Sequence, residues 1–219
     1  MDNNQPKIKV VFFDVAGTLI KEKSWVFLMI GLGLMKEYNS LIVGLKHGKY
    51  GQVELNQKLK ILLIKRGVTR QDLEKIWSNF SWKPGGNKIT NWLQEKGVKV
   101  FLISGASDIL VKKVADDLRV DGWRAATCFV FDRQGAMIDM LRTKDQARWK
   151  VKQVEEIMKK NAWKKEEGVF VGDGWNDVRV FEYLTKGITF DYGNSTLKKR
   201  AWRVVTNLEQ VGKIIEKRL

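Results

Sequence analysis

Short apolar runs recur along the chain, and three of them stop at a polar residue. Residues 9–13 lead into Asp14, residues 98–103 lead into Ser104, and the run "GVFVGD" ends at Asp173. Unbroken runs of this length are typical of strands that are buried on both faces. Because helical patterns separate these runs, we predict an α/β fold, with a parallel sheet between two helical layers.

The remaining pattern predicts mostly helices. The turn "DRQG" inside "CFVFDRQGAMIDML" predicts a β-hairpin, and "GITFD" and "WRVVT" predict two short strands. Thr69 is a candidate N-cap for a helix that ends near Phe80. We predict further helices at 87–96 (closed by Gly97), 108–118, 146–160, 178–184 and 209–218.

Residues 24–80 contain only helical patterns, such as "ELNQKLKILLIKRG", and no strand. This stretch lies between the first two predicted strands, so it adds nothing to the sheet. We predict an inserted all-helical cap at 21–82. Residues 1–20 and 83–219 then form a Rossmann-like, three-layer core.

Composition limits the cellular setting. The 219 residues suffice for one medium domain or a core with a small insert, and 44% are hydrophobic, as in globular proteins. The single cysteine, Cys128, excludes an internal disulfide and an all-cysteine zinc site, and it fits a reducing compartment. The first ten residues lack the pattern of a signal sequence. The longest apolar run, at 25–35, is shorter than the roughly 20 residues of a membrane span, so we predict a buried helix, no membrane partner and a cytoplasmic location.

The formal net charge of +15 favours an anionic partner. It would speed capture of a phosphorylated small-molecule substrate. The lysines are spread along the chain and form no aromatic-basic motif, so we interpret them as a generally solvated basic surface and do not expect a nucleic-acid partner. His47 is the only histidine, which argues against a histidine-based triad or a zinc site.

The carboxyl ends of parallel strands meet at one edge of a sheet, where α/β proteins bind ligands. Asp14, Ser104 and Asp173 should therefore lie together. Taken alone, Ser104 has a simpler interpretation as a candidate N-cap for the helix at 108. Lys150, on the predicted helix at 146–160, would on its own be an ordinary solvated lysine.

Four motifs in this order resemble those of the haloacid dehalogenase superfamily, and most of all its phosphoserine-phosphatase-like branch. They are "DVAGT", "LISGAS", a lysine on a following helix, and "GDGWND". Lys150 stands at the spacing before Asp173 that this branch has, and Lys144 is a weaker candidate for the same role. The segments "GKYGQVELNQKLKILLIKRGVTRQDLEKI" and "KPGGNKITNWLQEKGVKVFLISG" are similar to the cap of those phosphatases and its return to the core.

The resemblance implies a Mg²⁺-dependent phosphoryl hydrolase. Asp14 would be the nucleophile that forms an aspartyl-phosphate, and Lys150 would neutralise developing charge. The expected metal ligands are Asp14, the backbone carbonyl of Ala16, Asp173 and, through water, Asp177.

The same resemblance assigns the phosphate-binding groups. The hydroxyl of Ser104 and the backbone N–H of Gly105 would hydrogen-bond the phosphoryl oxygens. Thr18, Lys150 and Asn176 complete the expected set.

Ala16 departs from the pattern, since the phosphatases of this family carry a second aspartate there as general acid and base. General acid–base catalysis typically increases the rate by about 10²–10⁴. Three hypotheses follow. The protein is a phosphatase that is slow, uses another acid or acts on substrates with good leaving groups; it is a catalytically impaired or engineered-inactive protein that binds a phosphorylated ligand or partner; or it is a hydrolase of carbon–phosphorus bonds similar to phosphonoacetaldehyde hydrolase. The third would use a cap lysine, with Lys46 or Lys60 as candidates.

The cap also departs from the phosphoserine phosphatases. Where they carry a glutamate and an arginine for the amino and carboxylate groups of the substrate, this chain has Lys23, next to Glu22, and Lys60. Lysine does not replace a bidentate clamp, so phosphoserine is not assigned as the substrate.

Overall fold

The computed structural model describes residues 6–219 and contains one seven-stranded sheet. The strand order is β4-β3-β2-β1-β5-β6-β7, and every neighbouring pair is parallel except the β3–β4 hairpin. The strands are β1 (Val10–Phe13), β2 (Lys99–Ser107), β3 (Gly122–Phe131), β4 (Met137–Arg142), β5 (Gly168–Val171), β6 (Gly187–Phe190) and β7 (Arg203–Val205). The predicted α/β fold is confirmed. Residues 1–5, part of the stretch that lacks a signal pattern, lie outside the described residues.

The central strand β1 is fully buried because helices cover both faces of the sheet. Val11 and Phe13 belong to the larger hydrophobic cluster on one face, and Val10 and Phe12 belong to the smaller cluster on the other. This is the period of two expected of a strand, and burial on both sides explains why the run is continuously apolar.

Ten α-helices surround this sheet within residues 6–219. They are α1 (Ser24–Gly31), α2 (Met35–Lys46), α3 (Gln52–Lys65), α4 (Arg70–Trp77), α5 (Ile89–Glu95), α6 (Asp108–Leu118), α7 (Gln146–Lys160), α8 (Val178–Leu184), α9 (Ser195–Arg200) and α10 (Leu208–Glu216). Buried residues of α5, α6 and α10 pack in the larger cluster, while those of α7, α8 and α9 pack in the smaller one.

Several helix boundaries follow local sequence signals. Thr69 caps α4 through a reciprocal capping box with Asp72, as the N-cap pattern predicts. The cap of α6 is Ser107, whose hydroxyl accepts a hydrogen bond from Leu110. The alternative that Ser104 caps this helix is therefore wrong.

The apolar run at 25–35 is not one buried helix. Helix α1 ends at Gly31, Gly33 adopts a left-handed φ of 70°, and Met35 begins α2. Ile30 is 60% exposed although Leu28 and Met29 are buried. Within residues 6–219, no helix is long and apolar enough to cross a membrane.

The helical segment α1–α4 leaves and re-enters the sheet layer at one point. Ile20 and Trp82 form a β-bridge, flanked by hydrogen bonds from the N–H of Lys21 to Ser81 (2.9 Å) and from the N–H of Lys83 to Leu19 (2.9 Å). The two connecting strands are thus paired with each other. The division into a core and a cap at these positions remains a prediction.

A second contact ties this segment to the β3–β4 hairpin. The N–H of Arg70 donates to Gly135 (2.9 Å), and the N–H of Met137 donates to Val68 (2.8 Å). The helical segment is therefore held by backbone hydrogen bonds at two separate places.

Candidate active site

Asp14 follows β1 directly, at the carboxyl edge of the sheet. Its N–H donates to the carbonyl of Val171 at the end of β5 (2.9 Å), so the two strands fix its backbone. The residue is only 6% exposed, and its Oδ1 is buried without accepting a hydrogen bond. A carboxylate in this position needs a positive charge beside it.

The turn after Asp14 requires glycine at position 17. Gly17 has a φ of +83°, and a Cβ there would lie 2.7 Å from Oδ2 of Asp173. The turn closes through a hydrogen bond from the N–H of Gly17 to Ile20 (2.9 Å). Glycine thus allows the first loop to approach the acidic loop that follows β5.

Asp173 is oriented by two side chains from the β1 side. The hydroxyl of Thr18, which is fully buried, donates to Oδ1 (3.2 Å), and the ammonium of Lys23 contacts Oδ2. The Lys23 side chain is 62% exposed, so its charge lies at the rim of the site. In this arrangement the Thr18 hydroxyl orients Asp173, and its predicted role in binding phosphate stays a prediction.

Asp177 is brought back to the site by a single 3₁₀ turn, Trp175–Asp177. Its Oδ2 accepts a hydrogen bond from the N–H of Gly174 (2.9 Å), and the side chain is fully buried. Asp14, Asp173 and Asp177 each place a carboxylate oxygen within 4.8 Å of the others.

Lys150 projects from α7 between two of these acids and is also fully buried. Its Nζ lies 2.6 Å from Oδ1 of Asp177 and 3.2 Å from Oδ1 of Asp14. The alternative of a solvated lysine is therefore wrong. The weaker candidate, Lys144, is exposed ahead of α7.

Burial and charge act against each other in this cluster. Burial lowers the pKa of Lys150, but the carboxylates of Asp14 and Asp177 raise it by more, and the ammonium form is favoured. Burial raises the pKa of Asp177 to about 7, against the opposing effect of Lys150.

These residues fit a hard divalent cation. Mg²⁺ prefers oxygen ligands, and among residues 6–219 three carboxylates converge here against the buried ammonium of Lys150 and the exposed ammonium of Lys23. Oδ1 of Asp14 is buried with only the ammonium of Lys150 beside it, at 3.2 Å, so this oxygen could also accept a metal ion. Ala16, whose carbonyl is the fourth predicted ligand, forms a bridge with Ile20 in the same turn.

The end of β2 supplies the predicted phosphate-binding groups. Ser104 is 1% exposed, and its Oγ accepts from the N–H of Ala106 (3.2 Å), which leaves the hydroxyl proton available. The pairing with β3 shifts register between Ser104 and Ser107, so the strand is irregular here. A Cβ on Gly105 would lie 2.5 Å from Oε1 of Gln146, so a larger residue would displace the Gln146 side chain.

Asn176 reaches this loop through Gln146, a residue that the sequence analysis missed. The amide of Asn176 donates to Oε1 of Gln146 (3.1 Å), and Gln146 Nε2 lies 3.4 Å from the carbonyl of Gly105. Gln146 is four residues before Lys150, on the same face of α7, so helical spacing was the available signal.

The remaining candidates lie elsewhere. Lys60 pairs with Asp139 of β4 (3.0 Å), and Lys46 is exposed at the end of α2. Neither contacts the three aspartates, so the arrangement does not favour the hypothesis of a carbon–phosphorus hydrolase.

The carboxyl edge of this sheet therefore gathers an aspartate after the first strand, a serine after the second, a buried lysine and an acidic loop. Residues 8–184 match the haloacid dehalogenase-like hydrolase family, and the chain belongs to that family. The resemblance seen in the sequence and the prediction of an enzyme of this type are confirmed.

The individual relatives belong to the predicted branch. The chain is 26% identical over 190 residues to a phosphoserine phosphatase of Archaeoglobus fulgidus, with 84% of this chain and 52% of that protein covered. It thus spans about half the length of that relative. It is 24% identical to a phosphoserine phosphatase of Streptococcus thermophilus, with 83% of both chains covered. The solved structure of a substrate-bound phosphoserine phosphatase superposes with a TM-score of 0.77 at 23% identity, over 96% of this chain and 99% of that one.

Proposed function

We propose that the protein is a Mg²⁺-dependent phosphomonoester hydrolase that acts through an aspartyl-phosphate on Asp14. The observation that carries this proposal is the buried cluster in which Lys150 faces Asp14 and Asp177. Membership of a hydrolase family and relatives named as phosphatases support the reaction class. The single cysteine also leads us to propose a reducing, cytoplasmic location.

In the first step, a carboxylate oxygen of Asp14 bonds to phosphorus while the bond from phosphorus to the leaving oxygen breaks. Lys150 and the Ser104 hydroxyl offset the charge that builds up on the phosphoryl oxygens. Mg²⁺, held by Asp14, Asp173 and Asp177, would reduce the repulsion between the carboxylate and the phosphate dianion. In the second step, water attacks phosphorus and releases phosphate and the Asp14 carboxylate.

Ala16 sets the expected leaving group. Its side chain can neither donate a proton to the leaving oxygen nor activate water. It is the only partly exposed residue between Val10 and Ile20, so an acid there would be open to solvent. We propose substrates whose leaving group departs without a strong general acid, such as acyl or aryl phosphates.

The experiment measures Mg²⁺-dependent phosphate release from acetyl phosphate, phenyl phosphate and phosphoserine. The wild type is compared with Ala16→Asp and Asp14→Asn, and with Asp116→Asn on the exposed face of α6 as a matched control. The proposal predicts release from the activated substrates, abolition by Asp14→Asn, and no change in Asp116→Asn. Ala16→Asp is expected to accelerate phosphate release from phosphoserine, the alkyl ester of the three, by about 10²–10⁴.

If the wild type releases nothing from any substrate while Ala16→Asp gains activity, the natural role is binding a phosphorylated ligand and the catalytic proposal is wrong. Activity that survives Asp14→Asn would also exclude the proposed nucleophile.

A further inference from the structure

Arg142 lies at the end of β4, where the hairpin meets the helical segment. Its Nη1 donates to Oδ1 of Asn56 on α3 (3.0 Å), and its guanidinium lies 4.8 Å from the ring centre of Trp25 on α1. The residue as a whole is partly exposed.

No carboxylate pairs with this arginine among residues 6–219. Burial lowers the pKa of Arg142 to about 10, and the nearby Tyr38 only partly opposes this. By contrast, Lys60 at the same junction pairs with Asp139. A largely desolvated guanidinium with only an amide oxygen and an aromatic ring beside it is costly, and an external anion would offset that cost.

Two contacts connect Arg142 to the catalytic loops. Its register partner on β3 is Thr127, whose hydroxyl donates to the carbonyl of Gly105 beside Ser104 (3.2 Å). On the other side, Trp25 is two residues after Lys23, the residue whose ammonium contacts Asp173. Arg142 therefore lies one strand away from the loop that carries Ser104, and it packs on the helix that follows Lys23.

The side chains at the rim favour a negative over a positive group. Lys23 is exposed there, and Lys83, which is half-buried, interacts electrostatically with both Lys23 and Asp173. Both carboxylate oxygens of the neighbouring Glu22 lie 3.0 Å from the N–H of Ser81, so this acid holds the connecting strands together.

We propose that Arg142 binds an anionic group, a carboxylate or a second phosphate, on the leaving group of the substrate. This inference rests on the proposed function, because a leaving group exists only if the protein hydrolyses a phosphoester. The planar guanidinium offers a pair of N–H donors to such an anion. It follows that a leaving group with an ammonium group is disfavoured.

The experiment measures binding, so that it does not depend on turnover. Calorimetry with Mg²⁺ and the Asp14→Asn background compares phenyl phosphate, 4-carboxyphenyl phosphate, 1,4-phenylene bisphosphate and 4-(aminomethyl)phenyl phosphate. Each ligand is titrated into three proteins on this background: one that keeps Arg142, one with Arg142→Gln and one with Arg142→Lys. Arg133→Gln, in the exposed hairpin turn, is the matched control.

An anionic substituent is expected to tighten binding about 10–100-fold over phenyl phosphate, and the aminomethyl group to weaken it. The carboxylate and bisphosphate probes show which anion is preferred. Arg142→Gln should remove this gain and leave phenyl phosphate unchanged, while Arg133→Gln should keep it. Thermal unfolding checks each variant, and if Arg142→Gln does not fold, Arg142→Lys should retain part of the gain.

Equal weakening of all four ligands by Arg142→Gln, or an anion preference that survives it, would overturn the inference. Failure of the proposed function has a different signature: no turnover of any ester by the wild type, whatever the binding preference.

Discussion

Replacing Lys150 by methionine removes the only fully buried cation among residues 6–219. Its ammonium lies 2.6 Å from Asp177 and 3.2 Å from Asp14, and the side chain has no exposed surface. Methionine keeps most of the volume, so the change is electrostatic. Removing one partner of a buried ion pair costs about 3–5 kcal/mol in the free energy of unfolding.

For a chain of this size, that loss corresponds to a decrease in Tm of roughly 6–20 °C. Urea denaturation followed by tryptophan fluorescence measures it. The matched control is Lys152→Met on the same helix, whose side chain is 72% exposed and whose contact with Glu156 is 3.9 Å. We expect almost no change there, because exposed pairs contribute little.

The pH dependence gives a second check. Without Lys150, the carboxylates of Asp14 and Asp177 repel each other, and protonation of Asp177, whose pKa is already raised to about 7 by burial, relieves the repulsion. The deficit of Lys150→Met should therefore be larger at pH 8 than at pH 5. A Lys150→Met protein no less stable than Lys152→Met, or a deficit that grows as pH falls, would refute the reasoning.

Three further predictions concern the loops around the site. Gly17→Ala should cost about 1–2 kcal/mol in urea denaturation because of the left-handed φ, and should weaken Mg²⁺ binding in calorimetry because the methyl group meets Asp173; unchanged affinity would contradict this. Thr18→Val removes the donor to Oδ1 of buried Asp173 and should cost about 1–3 kcal/mol in the same denaturation, and a neutral result would exclude that role. Burial lowers the pKa of Lys83 to about 8, from 10.5. Since the folded lysine then loses its proton before the unfolded one, the wild type should gain stability over Lys83→Met between pH 8 and 10.5, and parallel thermal-unfolding curves across that range would contradict it.

The strands and the edge that carries the site could be predicted because their signal is local. Runs that are buried on both faces are continuously apolar, and the residue after each run must lie at the carboxyl edge. The boundaries of α6, α7 and α8 agree with the predicted ones, and side-chain caps at Ser107 and Asp145 mark where α6 and α7 begin.

The helix α9 could not be predicted, because its six residues are too few for a periodic pattern. The missed break at Gly33 has a related cause, since apolar residues flank it on both sides and hide the turn. Both errors arise where hydrophobicity alone does not distinguish the conformations.

The tertiary roles of charged residues were the least predictable. Lys150 and Lys152 have the same local context on α7, yet one is fully buried and the other exposed. Nothing in the sequence indicates a role for Arg142. Whether a carboxylate lies beside it depends on α1, α3 and β4, which are far apart along the chain. Such roles depend on which helix face meets the sheet, and not on residue type.

The position of β1 in the sheet has a consequence for the order of folding. One of its partners, β2, comes from near the middle of the chain, and the other, β5, from the last quarter. Pairings between such distant segments form slowly, because loop closure must precede them. A growing chain therefore carries Asp14 long before the strand beneath it has both neighbours or the acidic loop exists. Asp14 is synthesised early, but the residues that surround it come late, so an incomplete chain lacks the assembled cluster that we propose binds metal and phosphate.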